Sequence, residues 1–253
     1  MRLFDLKGKV AVVTGGSKGI GRSICENMAE AGARVVVSSR KLPACEEVVG
    51  EIKGRGGEAM AVAANISDKG SLTQLIEATR KAWGKIDVLV CNAASNPYYG
   101  SMTGLSDEVF DKIMRNNVLS NLWLANLVLP EMVQRKDGVI IIVSSIGGLR
   151  GTSVLGAYGI SKAADMALVR NLATEWSPHN IRVNAIAPGL IKTDFAKALW
   201  SNPQTLARAE GQSPLRRLGE PDDIGGIAVM LAAKAGAFIT GQVIVADGGA
   251  TIV

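Results

Sequence analysis

A doubly wound, parallel, seven-stranded α/β sheet with helices on both faces is the fold class that the sequence predicts, and three observations predict it. Short apolar runs rich in β-branched residues alternate with helical patterns over the whole chain. The first of these runs leads into a glycine-rich turn and then a helix. Residues 140–143 (Ile-Ile-Ile-Val) form an unbroken β-branched run, as a strand covered on both faces requires. At 253 residues one such domain is of ordinary size, and no repeat, linker or composition break divides it, so residues 1–253 are expected to form one unit.

Residues 9–14 form the first predicted strand, followed by Gly15, Gly16, Ser17, Lys18, Gly19, Ile20 and Gly21 and by a helical pattern over 20–31. Strand, glycine turn and helix in that order suit a dinucleotide diphosphate: glycine permits tight turning and close approach, and the helix start offers free N–H groups and the positive dipole end. The Gly-x-x-x-Gly-x-Gly spacing differs from the commoner Gly-x-Gly-x-x-Gly. A plain tight turn is the alternative.

The second strand, 34–38, ends in Ser38-Ser39-Arg40-Lys41, with no acidic residue where NAD sites place one to hold the ribose 2′-hydroxyl. Ser39, Arg40 and the Lys18 of the glycine turn can instead meet a 2′-phosphate, which points to NADP(H). The alternative is that Arg40 and Lys41 merely open a solvated helix. Helix 42–53, strand 58–63, helix 71–83 and strand 86–91 continue the alternation, making a Rossmann-type sheet the expected architecture. Asn65 and Ile66 after the third strand are expected along the adenine. Asn92, Ala93 and Ala94 after the fourth have small side chains where a cofactor needs close approach, although an ordinary strand-end turn has the same composition.

A helical stretch over 107–135 carries Asn116 and Asn117 in its middle, against propensity. Either a bend there exposes a carbonyl to a water chain, or the two form a surface polar pair.

Ser144 and Ser145 fall at the carboxyl end of the 140–143 strand, where open α/β sheets bind ligands. A helical pattern resumes near Gly156 and places Tyr158 and Lys162 four residues apart on one helix face. An adjacent ammonium favours ionisation of a phenol, so Tyr158 becomes a candidate acid/base, with Ser145 holding the oxygen of a carbonyl or alcohol. A packed ring beside a solvated amine has the same spacing.

Helix 163–176 is followed by a strand over 181–186, which Ala187-Pro188-Gly189 is expected to stop beside the nicotinamide. Pro188, Gly189, Ile191 and Thr193 complete the candidate cofactor contacts. Residues 190–212, with Phe195, Leu199 and Trp200, suit a lid over an apolar substrate; a packed surface helix is the alternative. Helix 221–233 and strand 242–246 close the chain.

The net charge of +5 is scattered and aromatics are only 4%, so no basic stripe points to nucleic acid. Three cysteines, Cys25, Cys45 and Cys91, lack disulfide or metal spacing and read as reduced core thiols. His179, the only histidine, sits in a polar turn, which argues against a Ser-His-Asp triad or a His-rich metal site. Neither a signal peptide nor a membrane-spanning run is evident.

On these residues the chain resembles the classical short-chain dehydrogenase/reductase family along nearly its whole length. The glycine turn, Asn92-Ala93-Ala94, Asn117, Ser145, Tyr158, Lys162 and Pro188-Gly189 stand in that family's order. The resemblance implies a tetrad: Tyr158 as acid/base, Lys162 lowering its pKa and holding the nicotinamide ribose, Ser145 orienting the substrate oxygen, and Asn117 supporting a water relay. It also implies a homotetramer. Ser38 to Lys41, Asn92 to Pro97, Ala187 to Thr193, Ala198-Leu199-Trp200 and Arg216 to Pro221 look like its NADPH-dependent carbonyl/retinal reductase branch. The ending Thr251-Ile252-Val253 departs from the peroxisomal tripeptide usual in animal members of that branch, so a cytoplasmic location is expected. Asn65 stands where many members have Asp.

The expected activity is reversible hydride transfer between NADP(H) and a small or medium apolar ketone, aldehyde or secondary alcohol. A 3-oxoacyl-thioester reductase shares every motif, and a catalytically silent NADP(H)-binding regulator is the alternative of another class.

Overall fold

The first strand, β1 (Val10–Thr14), is buried along its whole length: Ala11 and Val13 enter one apolar cluster and Val12 enters another. Side chains alternate across a strand, so a run without polar positions needs a layer on each face. The same division recurs in β2 (Arg34–Ser39), with Val35 and Val37 opposed to Val36, and in β5 (Gly138–Val143), with Ile141 and Val143 opposed to Ile140 and Ile142. The other strands are β3 (Glu58–Ala63), β4 (Val88–Cys91), β6 (Ile181–Pro188) and β7 (Val243–Ala246). All seven are parallel, in the order β3-β2-β1-β4-β5-β6-β7, which is the doubly wound sheet expected from the sequence. The computed structural model describes residues 2–253; Met1, part of the chain start read above, and the side chain of Ala198 lie outside the described residues.

Helices α1 (Gly19–Glu30) and α2 (Leu42–Gly54) cover one face through Ile24, Met28, Val48 and Ile52. On the other face lie α3 (Lys69–Trp83), α5 (Ser120–Arg135) and α6 (Gly156–Trp176), contributing Leu72, Ile76, Leu124, Val128 and Val169; α4 (Asp107–Met114) leads into α5. Each fully buried Ile or Leu gains roughly 1.5–3 kcal/mol by leaving water. Local chemistry sets the ends: the Asp68 carboxylate accepts from Gly70 N at 2.9 Å to start α3, and Gly84, at φ 77°, ends it. Two short helices, α7 (Lys197–Trp200) and α8 (Pro203–Gln212), precede α9 (Pro221–Ala232), which packs on the α1 face and opens with a Glu220/Asp223 capping box.

Three segments differ from the expectation. The helical stretch 107–135 is interrupted by a π-helical turn, Arg115–Leu119, at the two asparagines. Strand β6 is not stopped at Ala187: it runs on to Pro188, which pairs with Ala246, because a proline at the last position of a strand forfeits no further ladder bond. Within 190–212 the helix is confined to α7 and α8, since Asn202 caps α8 through Gln204 N at 2.8 Å and Pro203 starts it.

The chain builds outward from β1 through β2 to β3 and then returns to place β4 on the other side of β1. Above the carboxyl ends of β1 and β4 this reversal opens a crevice.

Candidate active site

At the mouth of that crevice the glycine turn is clamped to β4. Thr14 Oγ1 accepts from the backbone N–H groups of Asn92 and Ala93, both at 3.1 Å, and Asn92 Nδ2 donates to the carbonyls of Thr14 (3.0 Å) and Gly15 (3.2 Å). Gly15 has φ 67°, and a Cβ there would lie 2.7 Å from Asn92 Nδ2; a Cβ on Gly21 would collide with the Gly15 carbonyl. Only glycine fits either position. No side chain caps the start of α1, so its first N–H groups are left to the groove. From the sequence Thr14 is only the strand end that opens the glycine motif; the hydroxyl closing an otherwise apolar strand was the available signal of this clamp.

The groove continues past Ser17, Lys18, Gly19 and Ile20 to Ser39, Arg40, Asn65 and Ile66 at one end, and past Ala93, Ala94, Pro188, Gly189, Ile191 and Thr193 towards the other. Arg40 is exposed at its rim, and Ser39 Oγ lies 3.1 Å from the buried Cys45 Sγ. Asn65 Oδ1 accepts from Ser67 N at 3.1 Å. Lys18 Nζ is placed 3.5 Å from Asp194 Oδ2, an exposed ion pair that joins the glycine turn to the segment after β6. The volume, about 1460 Å³, exceeds that of a drug-sized site.

At the centre, Ser145 follows β5 and its Oγ accepts from Gly147 N at 3.0 Å. A Cβ on Gly147 would stand in ordinary van der Waals contact with Ser145 Oγ, 3.4 Å away, and with two Tyr158 ring carbons, 3.8 Å away. The Ser145 hydroxyl and the Tyr158 ring thus both lie beside Gly147, and all three residues line the groove. Gly148 and Gly159 let α6 approach this turn, since a Cβ on either would lie 2.7 Å from backbone atoms. Phe195 lies across from Tyr158, ring centroids 6.2 Å apart.

Lys162 is only 2% exposed. Its Nζ donates to the Val143 carbonyl and to Asp165 Oδ2, both at 3.0 Å, and lies 5.7 Å from the centre of the Tyr158 ring. Burial alone pulls the amine down, but the charges of Asp165 and then Tyr158 outweigh it and hold Lys162 above the usual lysine range. Burial also pushes the Asp165 carboxyl up, against the pull of Lys162 and Asn121. Two oxygens within hydrogen-bonding distance of Nζ make a charged ammonium the state this geometry favours. Burial pushes the nearby Cys91 thiol up, so it stays neutral.

Asn117 sits in the π turn with its side chain fully engaged: Nδ2 donates to Ser95 O and Ser161 Oγ, both at 3.0 Å, and Oδ1 accepts from Ser95 N at 2.8 Å. The bend expected at the asparagines is present as the π turn, and the Asn117 carbonyl accepts from Asn121 Nδ2 at 2.5 Å. The contact is local, since Asn121 stands four residues on along the same helical stretch. Asn121 also donates to Asp165 Oδ1 at 2.9 Å. Neither Asn121 nor Asp165 was singled out from sequence, although Asp165, three residues after Lys162, shares its helix face.

The family model described as Enoyl-(Acyl carrier protein) reductase matches residues 15–251. The chain belongs to the classical short-chain dehydrogenase/reductase family. Among its short-chain dehydrogenase/reductase relatives, dehydrogenase/reductase SDR family member 4 of Sus scrofa is 38% identical over 248 residues, covering 98% of this chain and 89% of the relative. A solved 7α-hydroxysteroid dehydrogenase complexed with NADH and 7-oxo glycochenodeoxycholic acid is 36% identical with a TM-score of 0.94, covering 98% of this chain and 96% of that one. The Pseudomonas aeruginosa RhlG/NADP active-site complex is 32% identical with a TM-score of 0.93, covering 99% of each chain. The chain is accordingly an NAD(P)-dependent oxidoreductase of this family. Among the described residues no helix is long and apolar enough to cross a membrane.

Proposed function

We propose that this protein is an NADP(H)-dependent reductase of ketones and aldehydes, running reversibly towards the alcohols. The observation that supports the reading is that Ser145, Tyr158 and Lys162 line one groove with the glycine turn, the Lys162 ammonium lying 5.7 Å from the Tyr158 ring.

The chain's fit to the cofactor rests on the clamped glycine turn and the uncapped start of α1, which would hold the diphosphate. Ser39 and Arg40 would take the 2′-phosphate, with Lys18 adding charge near the turn, and Asn65 and Ile66 would flank the adenine. Asn92, Ala93, Ala94, Pro188, Gly189, Ile191 and Thr193 would line the nicotinamide half, and Lys162 would hold its ribose. When bound, NADPH supplies the hydride.

Ser145 donates a hydrogen bond to the substrate oxygen and orients it. Tyr158 Oη gives its proton to the same oxygen as negative charge develops there, and takes it back in the oxidation direction. The Lys162 ammonium stabilises the charge left on the Tyr158 oxygen. Asn117 ties the Ser95 loop and Ser161 of α6 to the π turn and so holds the tetrad in register. Phe195 and the segment 190–212 close over an apolar substrate and exclude water. Residues 1–253 act as one domain in a cytoplasmic homotetramer; the fully exposed Phe238 and the exposed Val245 of β7 are apolar surface that such an assembly would cover.

One observation favours a second reading, a 3-oxoacyl-thioester reductase: the matching family model carries the description of an acyl-carrier-protein reductase. The experiment is NADPH consumption against diketones, aryl ketones, retinal and acetoacetyl thioesters. Turnover of free ketones and aldehydes supports the proposal; thioesters outperforming them selects the second reading. No consumption with any substrate would leave a nucleotide-binding regulator.

A further inference from the structure

We infer that Asp165 and Asn121 form a positioning unit that keeps Lys162 charged beside Tyr158, Asp165 acting through Lys162 without touching substrate or cofactor. The inference rests on Tyr158 and Lys162 being the acid/base centre.

A lysine buried without a counter-ion tends to lose its proton, because desolvation penalises the ammonium. Lys162 is 2% exposed and Asp165 0%, so solvent cannot supply that partner. An ammonium has three donors. One goes to the Val143 carbonyl and one to Asp165 Oδ2, each at 3.0 Å. The other Asp165 oxygen accepts from Asn121 Nδ2 at 2.9 Å, and the same Asn121 nitrogen donates to the Asn117 carbonyl at 2.5 Å. Both carboxylate oxygens and both hydrogens of the Asn121 amide are therefore committed, which fixes Asp165 from two elements at once.

The groups facing Lys162 are few. Its own helix presents Asp165 and Tyr158, β4 the Cys91 thiol and β5 the neutral Val143 carbonyl, while the neutral amides of Asn117 and Asn121 meet Ser161 and Asp165. Burial keeps Cys91 protonated. Asp165 is thus the one carboxylate among them, and the ammonium charge depends on it. The arrangement also assigns a purpose to the π turn: it carries Asn117 and leads directly into Asn121, so that one amide joins the Asn117 backbone to the counter-ion of Lys162.

The test is the titration of Lys162 in the apo-protein, followed by the ¹³Cε shift in lysine-labelled samples, with the Lys162 signal assigned by its loss in Lys162→Met. Asp165→Asn keeps the shape and removes the charge. It is expected to lower the Lys162 midpoint by about one pH unit or more. The high-pH limb of kcat should move down by the same interval, with KM for the carbonyl little changed. Asn121→Ser should shift both in the same direction by less, since Asp165 loses one donor. An unmoved midpoint in folded Asp165→Asn, or a loss of kcat equal at every pH, would overturn the inference. If Asp165→Asn does not fold, an unmoved midpoint in Asn121→Ser overturns it instead. Because the titration needs neither substrate nor cofactor, a wild type that turns nothing over refutes the proposed function, whereas an unmoved midpoint refutes the role of Asp165.

Discussion

Asn92 reaches across from the end of β4 to Gly15, its side-chain amide donating to the Gly15 carbonyl at 3.2 Å and to that of Thr14 at 3.0 Å. The glycine turn is thereby held from outside rather than by its own residues. Removing the amide in Asn92→Ala is expected to weaken NADPH binding by about tenfold, equivalent to one or two such hydrogen bonds. Fluorescence titration reads the change, and an unaltered Kd would mean that the turn holds its shape alone.

Gly147 lines the groove beside Ser145 and Tyr158, and a Cβ there would touch Ser145 Oγ and the Tyr158 ring. Its backbone φ is not in the left-handed region, so a side chain there is not strained. Gly147→Val should narrow the groove beside Ser145 and Tyr158 and lower kcat/KM for the carbonyl by about tenfold or more, the order of effect of one or two added methyl groups in a binding pocket. NADPH affinity should stay within a factor of about two, because the change lies on the substrate side. Equal activity in the variant would place the substrate oxygen elsewhere.

Arg40 stands exposed at the end of β2, where the chain has no acidic residue to hold a ribose hydroxyl. Arg40→Asp should move the preference from NADPH towards NADH, by about a hundredfold in the ratio of kcat/KM values, as loss of a charge-assisted contact combined with repulsion of the 2′-phosphate requires. The ratio measured with both cofactors decides; an unchanged ratio would leave the 2′-phosphate to Lys18 and Ser39.

Acid should act on the start of α9. The hydrogen bond from Arg217, and then that from Glu220 N–H, hold the Asp223 carboxyl below the usual carboxylate range. A carboxyl depressed on folding contributes stability above its unfolded pKa and loses it as pH falls through the folded one. Both partners are largely in solvent, 52% and 39% exposed, so the contribution is small. Asp223→Asn should lower Tm by roughly 1–2 °C near neutrality. That difference should hold down to about pH 5 and shrink as the pH falls through the ordinary carboxylate range and below it.

What was legible in the sequence follows from how locally each feature is encoded. β1 and β5 were legible because every position in them except Thr14 is apolar, and Ser145, Tyr158 and Lys162 because a strand end and a one-turn spacing lie within a short stretch. Partnerships across the fold were not. Asn121 and Asp165 lie 44 residues apart and Lys18 and Asp194 176 apart, and no periodicity announces either pair. The π turn was hidden because one extra residue in a helical turn leaves the apolar pattern of 107–135 nearly intact, so that only the misplaced asparagines hinted at it. The split between α7 and α8 was signalled by Asn202-Pro203, a cap followed by a helix-starting proline, and was passed over.

The central claim is that the Tyr158 hydroxyl moves the proton. Tyr158→Phe deletes that oxygen and keeps the ring against Phe195 and Lys162. The direct measurement is NADPH oxidation by this variant on the best carbonyl substrate, beside NADPH binding by fluorescence. Binding should remain within about threefold of the wild type while kcat falls by about a thousandfold or more, as expected when a group acting in the transition state is lost. Turnover within tenfold of the wild type would contradict the assignment and remove Tyr158 from the chemistry.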